Sequence, residues 1–105
     1  MEWTPANKQE VLSAIEADWV GIDPALRTRL TVYLIEPRPA LIERLGTTEN
    51  VFIVAVIDHN VVFFDDIEEA FGTAREVEGM LSEVASYGNI AVALSELERL
   101  GADGS

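Results

Sequence analysis

Two apolar runs separated by three turn-forming residues constrain this chain more than anything else in it. Val51-Phe52-Ile53-Val54-Ala55-Val56-Ile57 and Val61-Val62-Phe63-Phe64 flank Asp58-His59-Asn60. β-Branched and aromatic residues on either side of such a turn predict a β-hairpin. Neither arm alternates apolar with polar, so both faces of these strands require cover. Helices can cover one face. The other needs the remaining helix, a long loop or another protein, and this two-sided apolarity makes a homodimer one expectation.

The flanking segments supply the helices. Thr4 with Pro5 behind it has the form of an N-cap followed by a first helical residue whose missing N–H costs nothing. Val11, Leu12, Ile15 and Trp19 then share one face, and Gly21 stands where a left-handed C-cap belongs. Asp23-Pro24 repeats the start signal, so a short helix to about Leu30 follows. Thr31–Ile35 reads as a strand. Pro37 and Pro39 interrupt it, which points to an edge or a bend, and Ala40–Leu45 resumes it before a loop over Gly46–Asn50. Beyond the hairpin, Ile67, Ala70, Phe71 and Ala74 have helical spacing, whereas Gly72 and Gly79 oppose a long helix. Met80–Ala85 fits a strand pairing back onto the hairpin. Ile90, Ala93, Leu94 and Leu97 form the stripe of a final helix, with Asn89 as its N-cap, Gly101 just past its end and residues 102–105 frayed. The fold expected is α+β and a single domain over 1–105. It has an N-terminal helical segment, a mainly antiparallel sheet of four to five strands around the central hairpin, and a C-terminal helix packed on that sheet.

Charge then narrows the class of partner. The 105 residues carry 19 acidic and 7 basic side chains, a formal net charge of −12. The imbalance lies almost wholly after residue 44, where Arg75 and Arg99 are the only bases. Nucleic-acid backbones and anionic membranes are bound by Lys/Arg clusters, so such a field repels both. It attracts basic proteins and speeds encounter with them. There is no cysteine, which removes disulfides, thiol nucleophiles and thiolate metal sites. The N-terminal residues lack the basic-then-apolar pattern of a signal peptide, and the seven-residue run Val51–Ile57 is too short to span a bilayer, so the expected compartment is the cytoplasm.

No motif marks a catalytic centre. Asp65-Asp66-Ile67-Glu68-Glu69 is the densest charge in the chain, yet its spacing is not that of a calcium loop and no histidine partners stand beside it. His59, the single histidine, falls in the hairpin turn and reads as a surface residue. No phosphate-binding glycine pattern occurs. No cofactor, metal or enzymatic activity is expected. The acidic loop reads instead as a solvated or protein-binding patch, with Asp65, Asp66, Glu68 and Glu69 supplying charge and Phe71 and Tyr87 supplying apolar anchors.

The run Val61–Phe71 behind the apolar strand Val51–Ile57 resembles small bacterial toxin-immunity proteins, in which a hydrophobic hairpin leads into an acidic loop bearing an aromatic. Tyr87-Gly88-Asn89, ahead of the helix carrying Ala93-Leu94, adds to the likeness, which covers about residues 50–97. The resemblance implies a non-enzymatic inhibitor that binds and neutralises a cognate toxin made by the same cell. A second expectation is a nucleic-acid mimic that inhibits a DNA-binding machine, with carboxylates spaced like phosphates. A third is a small homodimeric structural domain.

Overall fold

The central hairpin forms where its composition requires. In the computed structural model, which describes residues 8–65 and 69–103, β2 (Thr47–Ile57) and β3 (Asn60–Asp65) pair antiparallel from Ile57↔Asn60 to Phe52↔Phe64. The turn is Asp58-His59, with Asp58 in the left-handed region at φ 55°, a conformation that aspartate tolerates better than most residues. Around this pair stand α1 (Lys8–Trp19), α2 (Pro24–Thr31), β1 (Leu34–Arg44), β4 (Ala70–Val77), β5 (Met80–Gly88) and α3 (Ile90–Asp103). The fold is α+β, with five strands and the C-terminal helix packed on the sheet.

The sheet closes on itself. Successive hairpins lay β1 to β5 side by side in alternating directions, so the first and fifth strands point the same way. Their junction is accordingly parallel, through Leu41↔Met80 and Ile42↔Leu81, and it completes a five-stranded barrel. Closure supplies the cover that the hairpin demands on its second face. Ala40, Ile42, Val51, Ile53, Val61, Phe63, Ala74 and Leu81 fill the inside. On the outer face Val54, Ala55, Val62, Phe64 and Phe71 pack against Val11, Leu30, Ile90, Ala93, Leu94 and Leu97 of the three helices. A register shift between Ile53 and Ala55 turns the consecutive Val54 and Ala55 to the same outer side.

Several local expectations are corrected by this arrangement. Ala70–Val77, whose sequence admits either a helix or a strand, is a strand, because Phe71, Gly72, Thr73 and Ala74 are buried in succession between barrel interior and helices. Helical spacing and two-sided burial look alike over so short a run. Gly72 faces Phe63 across the ladder, and a Cβ there would come within 2.3 Å of the Ala85 carbonyl oxygen and 3.1 Å of the Phe63 ring. β5 pairs with β4 and closes on β1 rather than returning to the hairpin. β1 runs through both prolines, absorbing them in a register shift between Leu34 and Arg38, as strands do where an N–H is missing. Thr31 ends α2 rather than beginning a strand, and β2 begins at Thr47, inside the segment expected to be a loop. Gly21 is absent from the positive-φ positions, so it is no left-handed cap. Gly101 lies inside α3, against Ile57, rather than beyond its end. The Thr4-Pro5 cap falls outside the described residues.

Two polar devices join the elements. The backbone N–H of Ile90 donates to Asp18 Oδ2 at 3.0 Å, while that of Ala91 donates to Asn89 Oδ1 at 2.7 Å. The start of α3 is therefore capped once by its own N-cap and once by α1. Arg38 of β1 reaches Glu76 of β4 in a two-pronged salt bridge of 2.8 and 2.7 Å. Its guanidinium holds the Glu76 carboxyl below the usual carboxylate range, and the charge of His59 adds to that effect.

Candidate functional site

The parallel ladder that closes the barrel is only two residue pairs long. Past Leu81, β5 has β4 on one side and, among the described residues, no strand partner on the other. A strand edge of this kind offers backbone groups to a partner unless something covers it. Large apolar side chains lie along the same seam: of ten that are exposed among the described residues, Leu41, Leu45, Val77, Met80, Val84 and Tyr87 lie on β1, β4, β5 or their turns. Leu41 and Met80 are ladder partners, as are Val77 and Met80, so three of these side chains form one row across three strands. Exposed carboxylates at Glu43, Glu69, Glu78 and Glu83 interleave with them. Apolar anchors set among charges are what protein interfaces are made of.

Leu45 is the most telling of these residues. It is fully exposed at the tip of the β1–β2 hairpin, and its φ of 51° places a bulky side chain in a backbone region that favours glycine or asparagine. Nothing in the packing rewards that choice. Asp58, Glu69, Glu78 and Glu83 take a similar φ, and Leu45 is the one apolar residue among them.

The acidic loop and its aromatics separate in the structure. Asp65 ends β3, opposite Ala70; it is only 7% exposed and is not without a partner. It is thus a buried carboxylate rather than a solvated one. Asp66 and Glu68 lie outside the described residues. Glu69 is exposed, in the turn leading to β4, at φ 52°. Phe71 is not a surface anchor. It is 2% exposed in the helix-side core, its ring centroid 5.0 Å from that of Phe64. Tyr87 is 38% exposed and sits in a register shift opposite Phe71 and Gly72, at the end of the barrel that carries Glu69. The structure therefore leaves Glu69 and Tyr87 exposed at the same end of the barrel and takes Phe71 inward.

Leu45, Met80 and Val84 escaped the sequence reading. Each looks like an ordinary core residue until strand bounds and closure are known. Only the adjacent Leu45-Gly46 carries a readable signal, an apolar residue in the first slot of a two-residue hairpin turn, where asparagine or aspartate is the rule.

Among the described residues no group of three or more histidine or acidic side chains is placed to hold a metal ion. No described helix is long and apolar enough to cross a membrane. Compared with protein families, with curated proteins and with solved structures, the chain finds no match.

Proposed function

We propose that this chain is a non-enzymatic protein-binding module whose interface is the β1–β5 seam and whose partner is a basic protein. One observation carries the proposal: exposed Leu41 and Met80 sit on the short β1–β5 ladder, and exposed Leu45, Val84 and Tyr87 lie beyond it, on the β1–β2 turn and on the part of β5 past Leu81. The net charge of −12 favours a basic partner and fast, salt-sensitive association. In its finer form, drawn from the resemblance of residues 50–97, the module is an immunity protein that neutralises a bacterial toxin. Interleaving of apolar and acidic side chains favours a protein partner over nucleic-acid mimicry, which calls for unbroken rows of carboxylates. A homodimer is no longer needed to cover the hairpin, since closure and the three helices cover both faces.

The test is to look beside the gene for an encoded toxic domain, co-express the chain with it, and measure binding by stopped flow. Rescue of growth and a salt-dependent association are expected. Changing Glu43, Glu69 and Glu78 to glutamine slows association and flattens its salt dependence. Leu45→Ser and Tyr87→Ala instead speed dissociation, each by about tenfold if it is an anchor. Absence of any complex ends the immunity reading. A complex whose rates ignore all these changes moves the interface off the seam.

A further inference from the structure

A cleft of about 320 Å³ opens at the opposite end of β5 from Tyr87, beside the Asp58-His59 turn and the last turns of α3. Six polar residues line it: Asp58, His59, Asn60, Thr73, Arg75 and Glu83. The ladders explain their convergence. Asn60 and Arg75 are direct partners across β3 and β4, and Thr73 precedes Arg75 by two residues, on the same side of the strand. A register shift between Thr73 and Arg75 relative to β5 brings in Glu83, which takes a left-handed φ of 54°. Leu100 of α3 adds an apolar wall.

Two of these groups, the exposed Arg75 and the buried Thr73, have no protein partner among the described residues, a state Arg75 shares with Arg27. Arg29, Arg38 and Arg99 are each paired with a glutamate. Arg75 makes no salt bridge among the described residues, although two carboxylates line the same cleft. Thr73 is only 3% exposed, yet its hydroxyl has no hydrogen-bond partner among the described residues and is not sealed from the cleft. The hydroxyl thus meets the cleft rather than another protein group, and an occupant of the cleft can bond to it.

We propose that this cleft binds a small zwitterion of the free amino-acid class. The carboxylate sits on Arg75 and the Thr73 hydroxyl, with His59 and Asn60 able to donate, and the ammonium lies between Asp58 and Glu83. One cation faces two carboxylates, so a simple anion such as phosphate meets repulsion from the flanks as well as from the −12 field. A bare ammonium leaves Arg75 and Thr73 unanswered. A zwitterion satisfies both ends, and its side chain has Leu100 to rest on. The volume is at the lower end of the range typical of ligand pockets, about 300–1,000 Å³.

The measurement is an amide-resolved NMR titration of the whole chain with individual L-amino acids in the millimolar range. Acetate, ethylamine and inorganic phosphate serve as single-charge probes. Saturable shifts at Asn60, Thr73 and Arg75 with at least one amino acid are expected, and weaker, non-saturating ones with the three probes. Arg75→Gln weakens binding by about tenfold or more. Thr73→Val weakens it roughly fivefold, and Thr73→Ser restores it. Arg27→Gln, a charge change on α2 away from the cleft, leaves it unaltered. Thermal melts of each variant separate lost binding from lost folding. The proposal fails if no amino acid moves these amides, if acetate or phosphate saturates them as tightly, or if binding survives in folded Arg75→Gln.

Discussion

Gly72 and Gly101 show how differently two glycines respond to one added methyl group. At Gly72 the new Cβ meets the Ala85 carbonyl oxygen at 2.3 Å, and backbone in a paired strand has nowhere to go. Gly72→Ala is therefore expected to cost about 3 kcal/mol, as overpacking does, and to disturb the β4–β5 register. At Gly101 the contact is with a side chain rather than backbone, that of Ile57 at 2.7 Å, and a small shift of the last turn of α3 can relieve it. Removing a glycine from a helix interior is worth up to about 1 kcal/mol, so Gly101→Ala should fall within about 1 kcal/mol of the parent. Urea midpoints of the two variants decide the matter, and equal losses would contradict the placement of Gly72 beneath Phe63.

Elements are tied here by groups far apart in sequence. Asp18 of α1 accepts from the first backbone N–H of α3, next to the N-cap bond made by Asn89. Asp18→Ala should thus destabilise by about 1 kcal/mol, the usual worth of a cap, and by about as much as Asn89→Ala. Chemical denaturation of the two single variants tests this, and a negligible effect of Asp18→Ala removes the tie. The Arg38–Glu76 bridge makes a pH prediction. Arg38 depresses the folded-state pKa of Glu76, so the bridge contributes fully above the unfolded value of about 4.3. Its contribution is lost as pH falls through the depressed folded value. Because Arg38 is 44% exposed, solvent screening limits the gain to about 1 kcal/mol. Glu76→Gln should be less stable than the parent at neutral pH and should converge with it in acid. A constant difference across that window would mean that charge pairing is not what the bridge supplies.

At the scale of the whole molecule, closure decides how much surface is left to bind with. An open sheet built on this hairpin would present an apolar face and self-associate. The barrel consumes that face and leaves the narrower seam around Leu41, Leu45, Met80 and Val84. Mutual repulsion of two chains at −12 works against pairing through that seam. Light scattering at micromolar concentration and moderate salt should therefore report the 11.5 kDa species. A concentration-dependent mass near twice that value would assign the seam to self-association.

Local patterns determined the hairpin over Val51–Phe64, the stripe Ile90, Ala93, Leu94 and Leu97, and the short helix behind Asp23-Pro24, because each depends on neighbours in the chain. The same patterns also required that both hairpin faces be covered, without saying by what. Tertiary structure decided the rest. The fate of Phe71 turned on which side of β4 met the helices, and the meaning of Ala70–Val77 on whether its successive apolar residues were buried on one face or two. Barrel closure, the exposure of Leu45 and the meeting of Thr73 with Arg75, Asp58 and Glu83 arise from ladders between distant segments. No local periodicity encodes those pairings, since they depend on the twist of the sheet and on which strand edges come within hydrogen-bonding reach.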